Sequence, residues 1–127
     1  NANPASMAAA FATLAARKPG EGGRRIVALG DMLELGPDER AYHAGLAAPL
    51  EQAGVDLVFC AGPRMAALME ALPQARHGGY AETSDALIPV IASSLRPGDI
   101  VLVKGSNGSK MSRVVSALTR LKGDGNA

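Results

Sequence analysis

Apolar positions in this chain follow two rhythms. Four short runs are nearly continuous in aliphatic residues: "RRIVALG" (24–30), "VDLVFCAG" (55–62), the weaker "RHGGYA" (76–81) and "GDIVLVKGS" (98–106). Runs of this kind, rich in β-branched residues and stopped by glycine, predict strands covered on both faces. Between them the apolar residues recur at helical spacing. Met7, Phe11 and Leu14 form one stripe of a first helix, which runs to about Arg17 and ends at "RKPGEGG". Asn3 and Pro4 supply its N-cap and first helical position. A second helix is expected from about Pro37 or Asp38 to Gln52, with Pro49 kinking it or ending it early. A third, "PRMAALMEALP", puts Met65, Leu68, Met69 and Leu72 on one face. A fourth, "TSDALIPVIASSL", is capped by Thr83 or Ser84, and it accommodates Pro89 only in or near its first turn. The last, from about Lys110 to Lys122, turns Met111, Val114, Val115, Leu118 and Leu121 inward and leaves Lys110, Arg113, Arg120 and Lys122 to solvent.

Strands alternating with helices at this spacing predict βαβ units, right-handed crossovers and a mainly parallel sheet. The expected fold is an α/β, Rossmann-like three-layer sandwich with helices on both faces and strand order 3-2-1-4. That order sets "GDMLELG" beside "KGSNGSK" at the carboxyl edge, where open α/β sheets bind ligands.

Composition narrows the function. The 127 residues fit one domain. Only 3% are aromatic against 47% apolar, so the core is aliphatic. With 13 basic and 12 acidic side chains the net charge is +1, which offers no footprint for nucleic acid or an anionic membrane. The lone Cys60 cannot form an internal disulfide and suits a reducing cytosol. No stretch approaches the ~20 apolar residues of a membrane span, and no secretory signal is visible.

Two loops carry candidate chemistry. In "VLVKGSNGSKM", Gly105 and Gly108 let the backbone approach a ligand, while Lys104, Ser106 and Ser109 could complete an anion pocket. An ordinary strand-to-helix turn capped by Ser109 reads equally well. The stretch is not a phosphate loop of the G-x-x-x-x-G-K-[ST] kind, and the first strand lacks G-x-G-x-x-G. In "LGDMLELG", Asp31 and Glu34 could hold an ammonium, a ribose hydroxyl or a hydrated magnesium; alternatively Asp31 caps a turn and Glu34 is solvated. His43 reads as a surface or packing histidine, and His77 and Tyr80 as edge-strand residues. No Cys/His cluster has metal-ligand spacing, so no metal site is expected here.

Taken together and in order, "NANPASM", "ALGDMLELG" with a downstream histidine, and "VLVKGSNGSKM" resemble the C-terminal domain of the Mur ligases over nearly the whole chain. The similarity is greatest to members that add D-alanyl-D-alanine to UDP-N-acetylmuramoyl-tripeptide in peptidoglycan synthesis, a cytoplasmic reaction. In such sequences the asparagine block ends an Asp-x-Tyr-Asn-Ala-Asn-Pro run. On that resemblance the chain is expected to be an excised domain, with an N-terminal sugar-nucleotide domain and a central ATPase domain missing and no catalysis by itself. The resemblance implies ATP and magnesium, bound mainly by the central domain. It places Asn1, Asn3 and Asp31 on the nucleotide side. Glu34, Lys104, Gly105 and Ser106 fall to the substrates, with Lys104 and Ser106 supporting the chemistry. His43 matches a recurrent histidine without an assigned role. Two departures stand out: "SNGSK" lacks an arginine common in relatives, and Pro49 interrupts a helix that is usually smooth. A stand-alone nucleotide- or anion-binding module, or a Mur ligase for another amino acid, are the alternatives.

Overall fold

Asn3 starts the fold as expected. In the computed structural model, which describes residues 2–125, helix α1 spans Pro4–Ala15. The Asn3 side chain accepts the Ser6 amide at 2.8 Å, and Ser6 Oγ accepts the Asn3 amide at 3.0 Å. This capping box satisfies two amides that the first turn would otherwise orphan. Met7, Phe11 and Leu14 are the buried stripe, each contributing roughly 1.5–3 kcal/mol by leaving water. At the other end, Arg25 donates to the carbonyls of Ala15 and Arg17, closing the helix terminus against the start of the sheet.

Four strands follow: β1 (Arg25–Gly30), β2 (Leu57–Ala61), β3 (His77–Ala81) and β4 (Ile100–Lys104). All pair in parallel, in the order β3-β2-β1-β4. The expected order therefore holds, with β1 beside β4 from Arg25↔Ile100 to Leu29↔Lys104. The connecting helices are α2 (Glu39–Ala44), α3 (Ala47–Gln52), α4 (Ala66–Ala71), α5 (Ser84–Ala92) and α6 (Ser112–Gly125).

Alternating side chains of the central strands feed two cores. Val27, Leu29, Val58 and Cys60 face Met7, Phe11, Leu50 and Leu68 from α1, α3 and α4. Ile26, Ala28, Phe59 and Ala61 face Leu87 and Ile91 from α5, Val114 from α6 and Met111 just ahead of α6. The result is the three-layer α/β sandwich, and β1 after Arg25 and β2 carry no polar side chain other than the Cys60 thiol, because both their faces are covered.

Several details differ from the sequence expectation. The single helix expected to reach Gln52 is two: α2 closes at Ala44 and α3 opens at Ala47. Pro49 lies in the first turn of α3, where its missing amide costs nothing, so the break falls one turn ahead of the proline. Pro89, conversely, stands inside α5, beyond its first turn. The turns around it still close, through Leu87 N–H to the Thr83 carbonyl and Ser93 N–H to the Pro89 carbonyl. The Asp85 carbonyl that loses its helical donor belongs to an exposed residue, where water can replace the bond. Val115 and Leu121, expected inward, are 46% and 44% exposed, whereas Met111 and Val114 are buried. Asn1 and the Lys122 side chain lie outside the described residues.

Candidate functional site

The turns leaving β1 and β4 are tied together by Ser106. Its amide donates to the Asp31 carbonyl at 3.2 Å, and its hydroxyl accepts the Leu33 amide at 3.0 Å. Its own carbonyl accepts both the amide and the hydroxyl of Ser109. Ser106 is 3% exposed. Ser106 is thus a clasp between two loops. Gly105 is what allows the turn to close, because a Cβ there would stand 2.5 Å from Ser109 Oγ and 3.1 Å from Gly30 Cα.

Asp31 likewise links two segments. It is 4% exposed, and its carboxylate accepts the Met65 amide at 3.0 Å, the Arg64 amide at 3.3 Å and Arg64 Nη1 at 3.3 Å. The carboxylate thus crosses from the β1 turn to cap the segment after β2, where helix-start amides and a guanidinium both favour negative charge. Gly62, at φ +110°, leaves room for it: a Cβ there would lie 2.5 Å from the Asp31 carboxylate. Arg64 also donates to Glu39 at 2.8 Å. The hydrogen bonds it donates, first to Glu39 and then to Asp31, push its guanidinium still further into the charged form.

His43 is fully buried. Nε2 accepts the Met32 amide at 3.0 Å, and Nδ1 stands 2.7 Å from the Glu39 carbonyl. An acceptor at Nε2 together with a donor at Nδ1 defines a neutral imidazole of one tautomer. The ring pins the β1 turn to α2; it touches no open surface, so it is a packing histidine and not a base.

Above this framework lies a cleft of about 440 Å³ that spans the ends of all four strands. Asp31 and Leu33 enter from β1, Gly62, Pro63 and Arg64 from β2, Glu82 to Asp85 from β3, and Gly108, Ser109, Lys110 and Arg113 from β4. Arg113 pairs with Asp85 at 2.6 Å. The arrangement suits a polar, multiply charged ligand. Lys104, Gly105 and Ser106 line a separate cavity of about 300 Å³ with Val103, Met111 and Val115. The structure therefore divides the sequence-predicted site: Asp31 faces the larger cleft, while the Lys-Gly-Ser block faces the smaller. Glu34 is exposed with φ +63°. Asn3 lines neither cavity, its side chain being occupied by the α1 cap.

Sequence reasoning missed Arg64, Glu82, Asp85 and Lys110 as cleft residues. The signal was present: "PRM" and "ETSD" also follow strands, so the rule that ligands sit beyond strand carboxyl ends covers them. Among the described residues, no three of His, Cys, Asp or Glu gather as a metal site, and no helix is long and apolar enough to cross a membrane.

A parallel sheet whose polar turns are knitted at one edge beneath an open charged cleft defines an α/β domain of the three-layer kind. Residues 1–107 match the family described as Mur ligase, glutamate ligase domain, and the chain belongs to that family. A UDP-N-acetylmuramoyl-tripeptide–D-alanyl-D-alanine ligase from Bacillus subtilis (strain 168) is 33% identical over 123 residues, covering 93% of this chain and 26% of the relative. The ligase of the same name from Escherichia coli (strain K12) is 34% identical over 120 residues, with 93% and 25% covered. The chain thus spans about a quarter of the length of the curated relatives it matches. Among solved structures, MurF from Acinetobacter baumannii superposes with a TM-score of 0.81 at 25% identity, covering 94% of this chain and 26% of that one. MurF from Thermotoga maritima, solved with ADP, shares the fold at a TM-score of 0.72 and 24% identity, with 92% and 26% covered.

Proposed function

We propose that this domain forms one wall of the active site of an ATP-dependent ligase that joins D-alanyl-D-alanine to UDP-N-acetylmuramoyl-tripeptide. In this reading ATP phosphorylates the tripeptide carboxylate. The dipeptide amine attacks the acyl carbon, a C–N bond forms, and inorganic phosphate leaves. The observation that supports it most is the joined pair of turns at the carboxyl edge. They lie in the segments of the sequence that resemble the family's blocks, and they frame a cleft of suitable polarity.

The tasks left to this chain are orientation and exclusion of water, both of which accelerate a two-substrate reaction. Lys104 and Glu34, whose charged groups are not taken up by the clasp, are assigned to substrate contact, with the Gly105 backbone next to Lys104 in the smaller cavity. Ser106 and Asp31 act by holding the turns that carry those groups, and Asn3 by orienting its motif. ATP and magnesium are assigned mainly to a central ATPase domain of a longer polypeptide, the domain's partner. The reaction is assigned to the cytoplasm.

The test is a comparison of the 127-residue chain with a full-length ligase that contains it. Only the longer protein should release phosphate in the presence of tripeptide and dipeptide. Lys104→Ala in that protein should lower turnover without lowering its melting temperature. ATP-dependent ligation by the short chain, or a longer protein inert toward D-alanyl-D-alanine, would overturn this reading.

A further inference from the structure

Backbone strain among the described residues falls on the two turns beside the cleft, and one of the strained residues, Lys110, lines it. Among the described residues, two other than glycine have positive φ: Glu34 at 63° and Lys110 at 58°. They stand one on each of the turns that Ser106 joins. A side chain in this region costs roughly 1–2 kcal/mol, and such outliers gather at ligand-binding sites. Lys110 closes the short 3₁₀ turn Asn107–Ser109 in the left-handed conformation, a position that glycine or asparagine fills with least strain. Lysine has no side-chain oxygen with which to stabilise that backbone locally, so the strain needs another reason.

Charge supplies one. The cations lining the cleft are Arg64, Lys110 and Arg113. Arg64 is neutralised by Asp31 and Glu39, and Arg113 by Asp85. Lys110 makes no ion pair among the described residues, even though Glu82 lines the same cleft. A strained, exposed ammonium with no carboxylate partner is thus left at the mouth of a cleft whose other cations are occupied.

We propose that Lys110 is the anion-receiving group of this cleft, taking an oxyanion of a bound reactant, carboxylate or phosphate. The proposal rests on the reading of the domain as a ligase wall and adds to it the group that meets the reactant's charge. The left-handed turn carries Lys110 into the cleft lining.

In a full-length ligase containing this domain, Lys110→Gln should raise the KM of one anionic reactant by about tenfold, the scale of one charge-assisted hydrogen bond. A rise confined to the dipeptide identifies a carboxylate, and one confined to ATP identifies a phosphate. Lys110→Arg should restore most of the loss. Lys110→Gly should show the same KM while raising the unfolding midpoint, because strain and charge are removed together. KM values unchanged in Lys110→Gln, or unrestored by Lys110→Arg, overturn the proposal. A second measurement does not depend on the reaction. Backbone-amide NMR of the 127-residue chain, titrated with acetate and with inorganic phosphate, should give saturable shifts at residues 108–111 that Lys110→Gln abolishes. Identical titrations in the two proteins overturn the role of Lys110, whereas absence of ligation by wild-type full-length protein overturns the ligase reading alone.

Discussion

Replacing His43 by leucine tests whether the β1 turn is held by the imidazole. Leucine fills a similar volume, so the main loss is the acceptor of the Met32 amide. Met32 and His43 are both fully buried, and water cannot take the vacated place. One buried amide left without a partner costs roughly 1–3 kcal/mol. The Glu39 carbonyl loses its donor as well, but Glu39 is only half-buried and can turn to solvent. The expected loss is about 2 kcal/mol, which for a chain of this length lowers the melting temperature by roughly 6–10 °C. Thermal unfolding by circular dichroism measures it, and hydrogen exchange at the Met32 amide locates it. His43→Gln, which can keep an oxygen near the Nε2 position, should recover at least half the loss. A leucine variant that melts with the wild type, its Met32 amide equally protected, would refute the assignment.

Two further outcomes follow from the packing. Gly62→Ala combines a left-handed backbone with a Cβ driven into the Asp31 carboxylate; it should cost about 2 kcal/mol or more by urea denaturation, and an unchanged midpoint would contradict the cap described for Asp31. Asp99 supplies a pH dependence. Burial opposes its charge, but hydrogen bonds from the Arg24 side chain and from the Arg96 and Arg24 amides outweigh it and hold the carboxyl below its ordinary value. A depressed carboxyl stabilises the fold above its unfolded pKa, near 4. That contribution is lost as pH falls through the depressed folded value. Asp99→Asn should therefore lower stability at pH 7 and flatten the acid limb of the stability curve, and parallel curves for the two proteins would show that the Arg24–Asp99 pair contributes nothing.

The sequence carried the layers of this fold because its local signals agree with one another. Uninterrupted runs marked the buried strands, Asn3 and Pro4 marked the first helix, and the alternation of elements implied the parallel order. What remained hidden depended on distance along the chain. Nothing near Asp31 announces that its carboxylate caps a segment more than thirty residues away, and nothing near Ser106 announces Leu33. Val115 and Leu121 have helical spacing, yet they stand on the exposed side of α6, a distinction that spacing alone does not make. The two prolines misled in opposite directions, since a proline's effect depends on where the helix begins, which is set by packing and not by the proline. In the sequence Lys110 is one more solvated charge, because its left-handed backbone angle cannot be seen in a list of residues.

The Ser106 clasp also bears on the thermodynamics of recognition. Two loops that wander independently must each be ordered when a ligand arrives, and that entropy subtracts from affinity. Here the hydrogen bonds of Ser106 join the two turns as the chain folds, so in the proposed reading less ordering remains for a ligand to impose. In the proposed reading, tightness of binding at this edge is accordingly tied to the integrity of the Ser106 clasp.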